Sequence, residues 1–211
     1  LSLALTSSIL CLLIVYPIAF YVAKSKSSII NILLIMLIIP FWSSFLLRVY
    51  AWKVLLQGSG IINSILIHIG LISEPISMLH NHYAVILGVV YTYLPFMILP
   101  LYGYLVKFDL NLIDASNDLG AKPVNTFVKV ILPLSLPGIV AGSMLVFIPV
   151  VGEYIIPEML GGSDKLYFGK IIWDEFFVNR GWPIASALAM SGIVILVFPI
   201  IIFQLMYAKY N

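Results

Sequence analysis

Two short clusters in this sequence carry side chains that could bind a metal or catalyse a reaction, and neither cluster is complete enough to do so. His80 and His82 are two residues apart, as metal ligands can be, but nearby partner ligands are lacking, so a solvated loop is the favoured interpretation. Asp174 and Glu175 are adjacent, and adjacent residues on a helix point in different directions, which disfavours a pair of catalytic carboxylates. The sequence therefore predicts no metal site and no enzyme.

A nucleotide site within this chain is excluded by the same kind of check. A phosphate-binding P-loop needs a glycine, four residues, and then Gly-Lys followed by Ser or Thr, so that backbone amides wrap the phosphates. The Gly169-Lys170 pair is followed by Ile171, and Asp164 stands where the first glycine should be. We expect this chain to bind no ATP and no other cofactor.

Composition places the chain in a membrane. Its 211 residues are 62% hydrophobic and 9% charged, with a mean hydropathy of +1.12, whereas a soluble domain is about 25% charged. The apolar residues form continuous runs, which predict membrane-spanning helices rather than the alternating strands of a barrel. The net charge of +2 is too small to indicate a nucleic-acid partner. The single cysteine, Cys11, excludes an internal disulfide and is expected to be a small buried hydrophobe.

Five runs without Asp, Glu, Lys or Arg are long enough to cross about 30 Å of hydrocarbon. They are Leu1 to Ala23, Ile29 to Leu47, Tyr83 to Val106, Leu134 to Gly152 and Trp182 to Ala208. A shorter apolar piece, Ile61 to Ile72, carries Ser64 and His68 on one helical face, which favours an interfacial helix within an external segment, 54–82. The prediction is an all-α integral membrane protein with about five spans in one domain, 1–211.

Basic residues in short loops indicate which connections are cytoplasmic. The turn Lys24-Ser25-Lys26 places the first connection inside, and alternation then places residues 107–133 inside as well. This arrangement leaves six Lys and Arg residues inside and five outside, and it puts the N-terminus outside. Because the chain begins Leu-Ser-Leu without a methionine, we expect that a first span is missing.

The cytoplasmic connection has its own helical pattern. Gly120 stands where a first helix would end in a left-handed cap, and Pro123 suits the first turn of a second helix. Pro133 and Pro137 are expected to redirect the chain into the next span. The second helix should bury an apolar stripe at positions i, i+3, i+4 and i+7, namely Val124, Phe127, Val128 and Ile131. The pattern predicts a helical hairpin that contacts a partner.

The hairpin resembles the EAA loop of the permease subunits of binding-protein-dependent ABC importers. That loop reads Glu-Ala-Ala, three residues, Gly, nine residues, then Ile-x-Leu-Pro. The matching residues in this chain are Asp114, Ala115, Ser116, Gly120, Val130, Leu132 and Pro133, at the same spacing throughout. The resemblance implies a helical bundle of the type I importer permease kind, in which this loop docks into a groove of a separate ATPase.

The same resemblance implies partners and a location. The chain would pair with a second permease, with two cytoplasmic ATPase subunits that bind ATP and Mg²⁺, and with an external solute-binding protein. It would be a multi-pass protein of the bacterial inner membrane, embedded in the lipid bilayer. The hairpin residues 107–133 would transmit the energy of ATP hydrolysis, with the acidic face of the hairpin meeting the ATPase.

The cargo is indicated by three further stretches, 90–105, 132–162 and 173–190, which are similar to the permeases of putrescine and spermidine importers. A cationic polyamine needs carboxylates and aromatic faces along its path. The candidates are Glu153, Glu158, Asp174, Glu175, Tyr91, Tyr93, Tyr154 and Trp173. The alternatives are that Glu153 is an ordinary exposed carboxylate at a helix end and that the aromatic residues form an interfacial belt.

Other functions stay open at this point. Permeases for opines, iron or thiamine share parts of the same stretches. A secondary transporter driven by an ion gradient would carry ionisable residues within its spans, and the five runs have no Asp, Glu, Lys or Arg. A membrane scaffold would associate with no ATPase.

Overall fold

Within a bilayer every backbone amide and carbonyl must find its partner inside the chain, and helices meet this demand locally. The computed structural model describes residues 1–24, 32–33, 35–36, 38–107, 109, 111–162 and 165–210, and these form helices joined by short turns. The elements are α1 (Ser2–Lys24), a 3₁₀ turn (Ile39–Trp42), α2 (Phe45–Leu56), α3 (Ile61–His68), α4 (His82–Leu105), α5 (Asn111–Asp118), α6 (Pro123–Val151), α7 (Ile155–Leu160), α8 (Phe168–Trp173) and α9 (Trp182–Tyr210).

Four of the five predicted runs are long helices. The helices α1, α4 and α6 are long and apolar enough to cross a membrane. The fifth run lies in α9, which has 29 residues and an apolar stretch over Trp182–Phe198. The lysine-containing turn after α1 falls outside the described residues.

The second run, Ile29 to Leu47, is not a continuous helix in its described part. Pro40 cannot donate a backbone hydrogen bond, and the chain tightens around it into the 3₁₀ turn. Ser43 then has a ψ of 156°, and its hydroxyl donates to the Pro40 carbonyl oxygen at 2.7 Å. The prediction that the helix continues to Leu47 is wrong, because a new helix, α2, begins at Phe45 after this break.

The bundle is built around α4. In the apolar 18-residue stretch of each long helix, 61% is buried in α4, against 44% in α1 and 33% in α6. The helix α4 is therefore the central one of the three. The side chains of Met97, Ile98 and Leu101 are fully buried on it. Gly142 of α6 packs directly on α4, and a Cβ atom at this position would lie 2.9 Å from the Met97 carbonyl oxygen. A small residue here lets the two backbones approach, as is usual between membrane helices.

The two ends of the bundle carry different groups of elements. At one end, Tyr16 near the end of α1 contacts Phe127 and Ser135 at the start of α6. At the other end, a small cavity of about 50 Å³ is lined by residues 1–4, His82, Glu153 and Tyr167. The hairpin predicted to be cytoplasmic and the segments predicted to be external therefore lie at opposite ends.

The external segment is held by one buried amide. Asn63 of α3 is fully buried; its Nδ2 donates to the carbonyl oxygens of Gln57 at 3.1 Å and Ile76 at 2.9 Å. Its Oδ1 accepts from the Ile76 amide at 2.9 Å. The short helix expected in this region is present as α3, and Ser64 and His68 are both exposed on it.

Candidate functional site

The turn at Gly120 has the geometry that its sequence predicts. Gly120 has a φ of +74° and donates to the Asn117 carbonyl at 2.8 Å, while Ala121 donates to the Ser116 carbonyl at 3.1 Å. These two bonds make a Schellman cap, which needs a left-handed residue just after the helix. The start of α5 is also capped, because the Asp109 carboxylate accepts from the Asn111 amide at 3.0 Å. The predicted left-handed glycine cap is confirmed.

A hydroxyl pair closes the hairpin, which we call the coupling hairpin and define as α5 with residues 119–131. The Ser116 and Thr126 hydroxyl oxygens are 2.9 Å apart, and Thr126 is 3% exposed. Ser116 is the third residue of the Asp-Ala-Ser triplet, so this contact ties the triplet to α6. Asp114 and Ala115, the first two residues, are exposed.

The expected apolar stripe of the second helix does not form. Residues 127–131 make a π-helical turn, in which the Leu132 amide donates to the Phe127 carbonyl five residues back. The wider turn rotates the side chains out of the i, i+3, i+4, i+7 register. Ile131 is buried at 6% exposure, whereas Val124 is 71% and Val128 is 51% exposed. The prediction that all four residues anchor the hairpin is wrong.

The same π turn changes the role of Pro133. Proline has no backbone amide and disfavours an ordinary helical bond four residues back. The wider turn lies directly before it, and α6 runs without interruption from Pro123 to Val151. Leu132 and Pro133 therefore lie inside a continuous helix, which passes through Pro137 without ending.

The tip of the coupling hairpin is apolar as well as acidic. Leu119 is 88% exposed and Val124 is 71% exposed, beside the exposed carboxylates of Asp114 and Asp118. The sequence analysis assigned only an acidic face to this surface. An exposed leucine directly before the glycine cap was the available signal.

Tyr16 of α1 is a further contact that sequence reasoning missed. Its hydroxyl is 2.9 Å from the Ser135 hydroxyl, and its ring packs edge-on against Phe127 with centroids 5.5 Å apart. Ser135 also donates to the Leu132 carbonyl at 2.9 Å. The base of the coupling hairpin is thereby joined to α1.

At the opposite end of α6, Glu153 is buried and held on three sides. It is 8% exposed, and its Oε2 accepts from the Tyr93 hydroxyl at 2.6 Å. Its Oε1 accepts from the amides of Ile155 at 3.0 Å and Ile156 at 3.3 Å, which caps α7. Tyr93 is eleven residues into α4, or about 17 Å along it. The carboxylate thus stands deep beside α4, and the alternative of an exposed helix-end carboxylate is wrong.

The residue after Glu153, Tyr154, belongs to an aromatic stack. The Tyr154 and Trp173 rings lie parallel with centroids 4.0 Å apart and an interplanar angle of 9°. Trp173 also contacts Phe177 at 4.1 Å. We call the adjoining space the outer recess; it has a volume of about 350 Å³ and is lined by Gly152, Tyr154, Gly169, Ile172, Trp173, Phe176 and Phe177. The break between α6 and α7 and the return of the chain in α8 bring these rings together.

Gly169 makes this arrangement possible. A Cβ atom at this position would fall within 2.7 Å of the Glu153 carbonyl oxygen and closer still to Gly152. Only glycine lets the start of α8 press against the backbone of the break between α6 and α7. The recess therefore depends on backbone contact between segments that are distant in sequence.

The remaining carboxylates differ in their surroundings. Glu158 forms an ion pair with Lys170, with Nζ to Oε2 at 2.7 Å. The Glu175 carboxylate accepts from the side-chain Nδ2 of Asn179 at 3.0 Å and so braces its own turn. Asp174 is partly buried, and no hydrogen bond or ion pair engages its carboxylate within the described part of the chain. The Tyr154–Trp173 stack lines the outer recess, whereas the residues that line it include neither Asp174 nor Glu158.

Tyr91 is not brought together with the other candidates. It is two residues from Tyr93 and therefore faces another side of α4. Its ring contacts Phe41 at 6.0 Å and Trp52 at 5.4 Å, and the Arg48 guanidinium carbon lies 4.6 Å from the Phe41 ring centre. This aromatic cluster already accommodates a cation of the chain itself.

The two histidines have structural contacts. The His82 Nδ1 lies 3.0 Å from the Tyr167 hydroxyl, and the His80 Nδ1 lies 3.3 Å from the Gly161 carbonyl oxygen. His80 has a φ of +61°, and its amide donates to the Leu160 carbonyl at 3.0 Å. Both residues fasten the start of α4 to the segments around α7.

Comparison with known proteins identifies the protein family to which this chain is similar. The model of the binding-protein-dependent transport system inner membrane component matches residues 3–209. The spermidine/putrescine transport system permease protein PotB of Haemophilus influenzae is 42% identical over 203 residues, which cover 96% of this chain and 71% of that protein. PotB of Escherichia coli K12 is 38% identical over 203 residues, covering 94% of this chain and 74% of the relative.

Solved structures show the same fold at low identity. A bacterial ABC transporter involved in the import of the acidic polysaccharide alginate superposes with a TM-score of 0.71 at 17% identity, over 99% of this chain and 77% of that one. The alginate transporter in complex with an alginate pentasaccharide-bound periplasmic protein superposes with a TM-score of 0.71 at 17% identity, over 100% of this chain and 77% of that one. The helical bundle is that of the ABC importer permeases.

Proposed function

Because this chain belongs to the family of binding-protein-dependent transport system inner membrane components, we propose that it carries a polyamine such as putrescine or spermidine. It is a multi-pass permease subunit of a bacterial ABC importer in the inner membrane, and a transport protein rather than an enzyme. The observation that carries the cargo assignment is the 42% identity to a spermidine/putrescine permease over 96% of the chain.

The chemistry of the outer recess supports a cationic cargo. Trp173 and Tyr154 present aromatic faces, to which an ammonium group is attracted. Asp174 directly follows Trp173 in sequence and carries a carboxylate without a partner in the described structure, although it does not line the recess. In this proposal Asp174, Trp173 and Tyr154 contact the cargo, with Glu158 at the edge of the path. Glu153 and Tyr93 hold the break between α6 and α7 in place.

At the end of the bundle that carries the coupling hairpin, a separate ATPase would bind ATP and Mg²⁺ and drive transport by hydrolysis. The coupling hairpin would dock on that subunit through Leu119, Val124 and the acidic residues beside them, since an exposed apolar tip with a charged rim suits a protein interface. The glycine cap and the Ser116–Thr126 contact keep the hairpin in one shape. The contacts of Tyr16 with Phe127 and Ser135 would pass its movement to α1.

The complete importer in this proposal has further subunits. A second permease would complete the pathway, and an external solute-binding protein would deliver the cargo. A periplasmic protein is bound to the alginate transporter that shares this fold. The segments 54–82, 152–162 and 165–181 lie at the end of the bundle opposite the coupling hairpin and would face that protein.

The cargo is tested by uptake in cells that lack their own polyamine importers and express the complete importer. We expect accumulation of radiolabelled putrescine or spermidine and no accumulation of thiamine, an opine or a ferric complex. Asp174→Asn should reduce polyamine uptake several-fold while Asp118→Asn, at the other end of the protein, leaves the apparent affinity for cargo unchanged. Accumulation of thiamine, an opine or iron in place of polyamines would overturn the cargo assignment.

A further inference from the structure

Lys170 lies on α8 between Gly169 and Trp173, two residues that line the outer recess, and the proposed path gives it no role. Its Nζ lies 2.7 Å from the Glu158 Oε2, and the two side chains are 33% and 58% exposed. Tyr154 and Glu158 are four residues apart at α7, and Lys170 and Trp173 are three apart on α8, so each couple shares a helical face. The ion pair and the aromatic stack are therefore neighbouring contacts between the same two segments.

The group that Glu158 holds is chemically the end of the proposed cargo. A lysine side chain is four methylenes ending in a primary ammonium, and putrescine is four methylenes with a primary ammonium at each end. Lys170 thus presents a butylammonium group to a carboxylate beside an aromatic stack. A polyamine that entered the recess would offer the same group to the same partners.

We propose that Lys170 is a built-in competitor of the cargo, which occupies the Glu158 carboxylate when the recess is empty and is displaced by an entering ammonium. This inference rests on the proposed polyamine function. While the pair is intact, the cargo contacts the Tyr154–Trp173 stack first, because these rings line the recess. Displacing Lys170 then frees the neighbouring Glu158 carboxylate for the cargo ammonium.

The energetics suit a contact that opens during each transport cycle. An ion pair between partly exposed side chains is weak. Lys170 can therefore yield to a competing ammonium, and its long flexible side chain can move into solvent. A small monovalent ion that lacks the butyl chain gains no aromatic contact and displaces Lys170 less readily. The pair would in this way reduce the binding of unrelated cations.

The experiment uses the complete importer in proteoliposomes with ATP inside and putrescine-loaded binding protein outside. The probe is n-butylammonium, the free counterpart of the lysine side chain, and the readout is the concentration that halves putrescine uptake. We expect Lys170→Met to lower this concentration up to about fivefold, because Glu158 becomes available to the probe. Lys170→Arg, which keeps the charge, should stay near the wild type.

Two further variants make the result specific. Lys165→Met removes an exposed lysine of the same segment that has no ion pair in the described structure, and it should leave the inhibitory concentration unchanged. Glu158→Gln leaves the Lys170 ammonium unpaired in the recess and should raise the inhibitory concentration. Because all variants share one binding protein, any effect of the amine on that protein is common to all of them.

The outcomes separate the inference from the function on which it rests. Wild-type uptake of putrescine with an unchanged inhibitory concentration in Lys170→Met would overturn the competitor role. Loss of thermal stability in that variant with unchanged inhibition would assign Lys170 a structural role and overturn it equally. If the Lys170→Met importer does not assemble, Glu158→Gln tests the competitor role, and an unchanged inhibitory concentration in that variant would overturn it. A wild-type importer that transports no polyamine would contradict the proposed function itself.

Discussion

A carboxylate beside a helix break can bind cargo or hold the break together, and the contacts of Glu153 favour the second use. Its two oxygens accept from Tyr93 and from two amides of α7, and 8% of the residue is exposed. Few acceptor positions remain for a cargo ammonium. Asp174, which directly follows Trp173 in sequence, is partly buried and has no hydrogen bond or ion pair within the described part of the chain.

This assignment predicts different results for two changes at Glu153. Glu153→Gln keeps an oxygen for the α7 amides, and its NH₂ group can donate to the Tyr93 hydroxyl, so uptake should stay within about threefold of the wild type. Glu153→Ala removes the cap and leaves the tyrosine unpaired, which costs about 1 to 3 kcal/mol and lowers the unfolding temperature of the complex. Equal loss of uptake in both variants with unchanged stability would show that the charge itself binds cargo.

The left-handed conformation of Gly120 can be tested by two substitutions. No atom lies within 4 Å of a Cβ built at Gly120, so only its φ of +74° restricts the side chain. Asparagine tolerates this conformation and a β-branched residue does not. We expect Gly120→Asn to retain most uptake and Gly120→Val to lower binding-protein-stimulated ATP hydrolysis about tenfold. Full activity of the valine variant would remove the cap from the coupling mechanism.

At the scale of elements, the sequence predicted what local chemistry determines and failed where distant contacts decide. The Gly120 cap and the long apolar helices follow from residues within a few turns. The stripe of 124–131 failed because a π turn changes the helical register, and no periodicity rule anticipates it. Glu153 and Trp173 could be named as candidates, but the burial of one and the stacking of the other need chain segments that meet only in the fold.

The tip of the coupling hairpin should behave as an interface. We expect Leu119→Asp to reduce co-purification of the ATPase with the permease, since truncating or charging a central apolar contact typically costs about 2 kcal/mol or more. Leu166→Asp is the control, because Leu166 is 86% exposed, against 88% for Leu119, and lies toward the other end. An equal effect of the two substitutions, or no effect of either, would contradict docking at the hairpin tip.

The contact between α4 and α6 can be tested with two glycines. Gly142→Ala places a Cβ atom 2.9 Å from the Met97 carbonyl oxygen, so it should destabilise the permease by about 1 to 3 kcal/mol. Gly103→Ala meets no atom within 4 Å and should leave the unfolding temperature unchanged or raise it. Thermal unfolding in detergent measures both. If the two variants unfold alike, the close approach at Gly142 is not needed for packing.

In the whole molecule, the surfaces proposed for the ATPase and for the cargo lie at opposite ends of the bundle. The coupling hairpin is at one end, and the recess of Tyr154 and Trp173 is at the other, beyond the end of α6. The helix α6 joins them, because it begins in the hairpin and ends at Val151, next to Gly152 of the recess. A movement of the hairpin would therefore reach the recess through a single continuous helix. This account requires that ATP hydrolysis, and no ion gradient, drives import.

The most direct test is putrescine uptake into proteoliposomes that contain the complete importer, with ion gradients collapsed by ionophores. We expect uptake to require ATP on the side of the ATPase together with loaded binding protein, and to continue without any gradient. Uptake that proceeds without ATP and follows an imposed proton or sodium gradient would instead indicate a secondary transporter.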